Sequence, residues 1–170
     1  MVMVDAIKES GMSFITDNAF YIEKSPLYTN LGESIRSVEF VRVKNEDLLL
    51  VEAKTTFPNP ENPSEENLIK FRTGIEDICN KFIHSLNLLS SIEIGLAGDV
   101  YGDEFNLPDK VALVFILVIK NHKKEWCKKV NEAFIEALPD YLKKIWKPTV
   151  YVINLETAIN MNIVMADCLH

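Results

Sequence analysis

Residues 37–54 read SVEFVRVKNEDLLLVEAK and hold two strand-like segments separated by two residues. Both segments are rich in β-branched and long apolar side chains, a composition typical of strands. The dipeptide at 45–46 is the right length for a two-residue hairpin loop. Counting outward from that loop, Glu39 lies directly opposite Glu52. Because side chains alternate between the two faces of a sheet, this register predicts Glu39, Glu52 and Lys54 on one face.

The predicted pairing of Glu39 with Glu52 has a chemical consequence. Like charges directly opposite each other on a sheet are destabilising, and a divalent cation such as Mg²⁺, which prefers carboxylate oxygens, would remove the repulsion. The backbone carbonyl of Ala53 offers a further metal ligand. Lys54 is placed to hold an attacking water or to stabilise charge that develops on a phosphate. These groups together are those that metal-assisted phosphodiester hydrolysis needs.

A register shifted by two residues is the alternative. It would put Glu39 opposite Lys54 and leave an ordinary ion pair, worth about 0–1 kcal/mol when exposed. The register of this hairpin therefore separates a chemical site from incidental glutamates.

Hydrophobic periodicity predicts the elements that surround the hairpin. The first ten residues predict a short helix that ends at Gly11, and residues 13–24 predict a strand, with Asp17-Asn18 as the place for a bend. Ser64 is a plausible N-cap for a long helix. Further strands are predicted over 92–96, 111–119 and 149–155, and a helix is predicted over 126–145 that Pro139 kinks or splits. The predicted core includes Leu49, Val51, Phe82, Leu86, Val114 and Ile116. The fold class is α/β, a mixed central sheet with helices on its faces.

Glu39, a gap of twelve residues and then Glu52-Ala53-Lys54 at the end of an apolar strand resemble the motif of the PD-(D/E)xK, or restriction-endonuclease-like, nuclease superfamily. The resemblance implies an αβββαβ core, here followed by a C-terminal helix and strand. It also implies that Glu39 and Glu52 bind Mg²⁺ or Mn²⁺ and that Lys54 assists the attacking water. Family members often add a glutamate from the first helix, for which Glu9 is the best-placed candidate and Glu33 a weaker one.

Two features of the chain depart from the family pattern. The first acid is Glu39 where aspartate is usual, and Val38 precedes it where the family has proline. The family commonly presents a basic substrate cleft, whereas the N-terminal half of this chain is strongly acidic. Both departures bear more on activity than on fold.

Composition sets the remaining limits. A length of 170 residues suits one domain, residues 1–170. The net charge of −7 argues against broad nonspecific binding of nucleic acid, although residues 110–148 hold nine lysines, which predict either a basic patch or a solvated helix. The longest apolar run, 111–119, is too short to cross a membrane. The three cysteines form no close pair, which fits a reducing compartment and predicts a cytoplasmic protein.

Two functions follow from the sequence. The first is a metal-dependent phosphodiesterase, a nuclease-like domain that is either active on nucleic acid or degenerate. The second is a non-catalytic module of the same fold that binds a protein partner or forms oligomers. The sequence leaves the oligomeric state unknown.

Overall fold

A computed structural model describes residues 6–98 and 100–169, and its centre is a mixed five-stranded sheet. The strands are β1 (Ile7–Glu9), β2 (Met12–Phe14), β3 (Ala19–Phe20), β4 (Phe40–Lys44), β5 (Asp47–Lys54), β6 (Ala112–Ile119) and β7 (Thr149–Asn154). The helices are α1 (Pro26–Thr29), α2 (Glu65–Glu93), α3 (Lys124–Ala137) and α4 (Leu155–Asn160), with 3₁₀ turns at Ile22–Lys24 and Ala166–Leu169 and a π-helical turn at Leu142–Trp146. The sheet order is β3-β4-β5-β6-β7, while β1 and β2 form a separate hairpin.

The predicted register of the β4–β5 hairpin is confirmed. Phe40 pairs with Val51 and Lys44 pairs with Asp47, so the loop has the two residues that the sequence predicts. One step beyond β4, the backbone N–H of Glu39 donates to the Val51 carbonyl at 3.0 Å. The pairing that would set Glu39 opposite Lys54 is therefore wrong.

Parallel pairing extends the sheet from this hairpin. Strand β5 pairs in parallel with β6, and β6 pairs in parallel with β7. Helix α2 provides the first crossover and α3 the second, as parallel strands require. The mixed sheet with flanking helices that the sequence predicts is thus present.

The helix boundaries agree with the sequence in two places. The Ser64 side chain accepts a hydrogen bond from the Asn67 N–H and so caps α2. The helix predicted over 126–145 is split as expected, since α3 ends at Ala137 and the π-helical turn follows Pro139.

Three local predictions are wrong. The predicted N-terminal helix is instead strand β1 where the structure describes it, because Ser10 and Gly11, both at positive φ, turn the chain back into β2. The predicted strand at 13–24 is not continuous, since the chain turns at the predicted bend, Asp17-Asn18, and divides into β2, β3 and a 3₁₀ turn. The predicted strand at 92–96 is the end of α2 and the turn after it.

Two apolar clusters cover the two faces of the sheet. One lies between the sheet and helices α2 and α3, and the other lies between the sheet, the β1–β2 hairpin and α4. All six predicted core residues are buried, with Phe82 and Leu86 on the α2 face and the other four on the opposite face. In the described part of the chain no helix is long and apolar enough to cross a membrane.

Candidate functional site

The three residues of the predicted motif lie together on the sheet face that α2 covers. Glu52 and Lys54 are two residues apart on β5, so their side chains point to the same face of the sheet. Glu39, the residue before β4, lies on that face as well. Glu39 is 6% exposed and Glu52 is fully buried. The side chain of Lys54 is 31% exposed, so it is the member of the motif that reaches solvent.

Two lysines hold one oxygen of Glu52. Its Oε1 lies 3.0 Å from Lys54 Nζ and 2.7 Å from Lys81 Nζ, which enters from α2. Its Oε2 has no hydrogen-bond partner. Burial raises the pKa of Glu52, and the charges of Lys81 and Lys54 oppose that rise. Burial alone lowers the pKa of Lys81, but the attraction of Glu52 outweighs it and the net shift is upward.

Three other carboxylates converge in the neighbourhood of Glu52. One oxygen from each of Glu9, Glu23 and Glu39 lies within 4.8 Å of the others. Glu9 comes from the end of β1, where the Tyr21 hydroxyl donates to its Oε1, and Glu23 comes from the 3₁₀ turn after β3. We call Glu9, Glu23 and Glu39 the carboxylate triad.

The pKa of the Glu39 carboxyl is strongly raised. Burial raises its pKa to about 9, helped by a hydrogen bond with Glu23 and by the charges of Glu52, Glu23 and Glu9. Its Oε2 is buried and lacks a hydrogen-bond partner. Burial and the three neighbouring carboxylates thus favour the protonated form of Glu39 when no cation is bound.

The remaining predicted ligands fall in different places. Glu9 joins the triad from a strand and not from a helix. The carbonyl of Ala53 accepts a hydrogen bond from the Ser10 hydroxyl at 3.2 Å. Glu33, the weaker candidate, lies exposed in the loop that follows α1. Glu52 stands apart from the triad in its bonding, since its partners are lysines.

Two residues of the site, Glu23 and Lys81, are not among those that the sequence predicts. The side chain of Lys81 is only 12% exposed. The signal lay in its spacing, because it follows the buried Ile78 by three residues and precedes the buried Ser85 by four, which places it on the inward face of α2. Glu23 offers no comparable signal, since only the fold of the β3–β4 segment brings it to Glu39.

The lysine-rich segment is solvated. Lys123, Lys124, Lys128 and Lys129 are all exposed on or beside α3. Lys129 pairs with Glu61 at 3.1 Å, and Lys123 lies over the Trp126 ring at 5.0 Å from its centroid. The exposure of these lysines is compatible with both predicted alternatives, the basic patch and the solvated helix.

The donors of this site suit a hard divalent cation. The triad provides carboxylate oxygens, and the buried Oε2 atoms of Glu39 and Glu52 are left without hydrogen bonds that a cation would replace. Comparisons with protein-family models, curated proteins and solved structures found no match to this chain. The chemistry of these side chains is therefore the only guide to function.

Proposed function

We propose that this protein is a metal-dependent phosphodiesterase, a nuclease-like domain with a PD-(D/E)xK type of site on a restriction-endonuclease-like core. The observation that carries the proposal is the pair of buried, unpartnered oxygens on Glu39 and Glu52, next to a triad of converging carboxylates. Buried polar atoms in native proteins nearly always have a partner. Two such atoms on adjacent glutamates indicate a ligand.

The triad residues Glu9, Glu23 and Glu39 would hold Mg²⁺ or Mn²⁺. Glu52, whose charge acts on Glu39, has a further oxygen without a hydrogen-bond partner. When bound, such a cation supplies a Lewis acid that polarises a phosphoryl oxygen or a water. The Ala53 carbonyl, which accepts from Ser10, retains a second lone pair.

The two lysines near Glu52, Lys81 and Lys54, have different roles in this proposal. Lys81 is largely buried, and its charge opposes the rise in the pKa of Glu52 that burial causes. Lys54 shares the same oxygen but is partly exposed, so its ammonium can also donate to a phosphate or a water at the surface. Glu39 must release its proton before it can act as a ligand, since only the carboxylate binds a cation well.

Thermal melting in Mg²⁺ and in Mn²⁺ tests the proposal. At a hundredfold excess over the dissociation constant, a ligand of the folded state adds about 2.7 kcal/mol, or roughly 5–10 °C for a chain of this size. Affinity should increase as the pH rises toward 9, because the proton of Glu39 competes with the cation. The Glu23→Gln variant should lose most of the shift, and Glu33→Gln, an exposed acid outside the triad, should keep it.

Cleavage assays on single- and double-stranded DNA and RNA complete the test. Activity that requires the metal and disappears in Lys54→Ala, with the metal-dependent melting shift retained, would support catalysis. No melting shift with either cation at any pH from 6 to about 9 would overturn the proposed function.

A specific observation favours the alternative, a non-catalytic module that binds a protein partner. Lys54 and Lys81 already neutralise Glu52, and full burial keeps Glu52 from any direct contact with a substrate. In that case the cluster only stabilises the fold. No melting shift with Mg²⁺ or Mn²⁺, together with no cleavage of any of the four substrates, would favour this function.

A further inference from the structure

A large apolar cleft lies at the other end of strand β5 from the carboxylates. It measures about 580 Å³ and is lined at its floor by Leu48, Leu86, Leu89 and Leu113. Leu48 precedes Glu52 by four residues, which is about 13 Å along a strand. The cleft is therefore a separate feature, and no step of the phosphodiesterase proposal uses it.

Three of the most exposed large apolar side chains of the described residues line this cleft. Ile94 is 71% exposed, Ile145 is 73% exposed and Trp146 is 44% exposed. Isolated exposed apolar residues are ordinary, but a contiguous group around a concave surface marks a binding site. The volume also falls within the range of small-molecule sites, which are concave and mostly apolar.

The backbone on one wall of the cleft is unusual. Ile145 and Trp146 belong to the π-helical turn, a conformation that is rare and concentrated at functional sites. Lys147 follows with φ 46° and ψ 51°, in the left-handed region that lysine seldom adopts. This geometry places the two apolar side chains and the lysine side by side at the rim.

Positive charge at the rim of the cleft favours a ligand with an anionic head group. Lys147 is exposed, lines the cleft and forms no ion pair within the described residues. Lys143 and Lys144 share the single partner Asp140, at 3.4 and 3.8 Å. The segment from 140 to 147 therefore carries a surplus of positive charge. Glu93 is the one acid that lines the cleft, and it does not pair with Lys147, so an anionic group belongs on the Lys147 side.

We propose that this cleft binds a free single-chain amphiphile with an anionic head, a medium-chain fatty carboxylate. The alkyl chain lies against the leucine floor and beneath Ile145 and Trp146, and the carboxylate lies at Lys147. A neutral chain would leave Lys147 unused, and a bulky folded partner would not fill a cleft of this volume.

Sodium decanoate below its micellar concentration is the probe. In a Trp126→Phe background, Trp146 is the only tryptophan, so its emission reports on the cleft directly. We expect a saturable shift of that emission and a melting temperature that rises with decanoate. Both effects should be lost in Ser90→Phe, which fills the cleft from α2, and in Val111→Phe, which fills it from the start of β6. The two filled variants serve as checks on each other, with melting curves to show that each is folded.

A matched pair of lysine variants tests the head group. Lys147→Gln should weaken decanoate binding by at most about fivefold, the ceiling for one solvent-exposed ion pair. Lys144→Gln removes the same charge from the same segment without touching the cleft and should bind as wild type does. The neutral alcohol 1-decanol should bind Lys147→Gln and wild type equally.

Three results would overturn the proposal. The first is equal decanoate binding by wild type and by a folded, cleft-filled variant. The second is binding to phosphatidylglycerol vesicles with none to free decanoate, which would make the cleft a membrane contact. The third is a dimer that forms with rising protein concentration, is abolished by Ser90→Phe and excludes decanoate, which would make a second copy the occupant. None of these results depends on the carboxylate site, so the two proposals fail or stand separately.

Discussion

The two faces of the central sheet are built from the same strands but carry opposite chemistry at one end. On the face toward the β1–β2 hairpin and α4, Phe40 and Ala53 continue the apolar cluster to the end of β5. On the face toward α2, their sequence neighbours Glu39 and Glu52 interrupt it. Apolar burial stabilises a fold in proportion to area, whereas a buried ion pair is often no better than apolar residues of the same size. Stability alone therefore does not account for the two glutamates, which is consistent with the proposed role in binding.

The largest effect should come from the apolar face. Phe40 is fully buried and its ring packs edge-on against Phe14, with centroids 5.2 Å apart. Phe40→Ala should lower the free energy of unfolding by about 3–5 kcal/mol, because the cavity adds to the lost transfer energy. Urea denaturation measures the change.

An exposed residue provides the reference for that measurement. Leu68 on α2 is 49% exposed, and Leu68→Ala should change stability by no more than about 0.5 kcal/mol. If Phe40→Ala costs no more than Leu68→Ala, the apolar face does not hold the β1–β2 hairpin to the sheet.

The next largest effect should come from Glu52, one of the two glutamates that interrupt the apolar cluster. Lys81→Met removes the closer partner of Glu52 and leaves a buried carboxylate with Lys54 alone. We expect a loss of about 2–3 kcal/mol, below the 3–5 kcal/mol for a buried charge with no partner left. Denaturant melts at pH 7 measure it.

The control and the rescue for Lys81 come from the same region. Lys70 on α2 pairs with Glu66, both largely exposed, so Lys70→Met should cost little. The double variant Lys81→Met with Glu52→Leu replaces the pair with apolar groups and should recover most of the stability. Failure of that rescue would mean that Lys81 stabilises the fold by contacts other than its charge.

The acidic residues on this face differ in how well their positions can be predicted from the sequence. Glu39 and Glu52 could be placed on one face from sequence, because side chains alternate with a period of two. Their pairing depended on placing the two-residue loop at 45–46, since a loop at 46–47 would have set Glu39 opposite Lys54. Glu23 could not be placed, since its approach to Glu39 depends on how β3 joins β4 and on a 3₁₀ turn with no repeating pattern.

The N-terminal hairpin shows a different limit. Ile7 and Met12 are buried, but the strands are only three residues long, too short for a period of two to stand out from a helical one. The Ser10-Gly11 dipeptide was the available signal, since both residues adopt positive φ in a tight hairpin turn. Buried strands β5 and β6 were predictable because each is an eight-residue run in which apolar side chains face both clusters.

The smallest effect at neutral pH should be a gain at Glu39, and its sign depends on pH. The folded-state pKa of Glu39 is about 9 against 4.5 for an ordinary glutamate. The proton on Glu39 favours the folded state fully below pH 4.5, and this contribution is lost as the pH rises through 9. Glu39→Gln keeps a neutral side chain at every pH, so the variant should be more stable than wild type at pH 7 by about 1 kcal/mol. Part of the gain is offset because the amide must find a partner for its second N–H.

Paired denaturation curves from pH 5 to pH 9 measure that gain. The difference in stability between Glu39→Gln and wild type should be smallest at pH 5 and should grow steadily toward pH 9. Only the wild type must take up a proton when it folds, and this becomes less favourable as the pH rises. Glu33→Gln, an exposed acid, should follow the wild-type curve. A constant difference across this range would show that Glu39 is ionised in the folded protein, with a cation or Lys81 supplying the compensating charge. The acidic face would then be a preformed anionic site and not a protonated one.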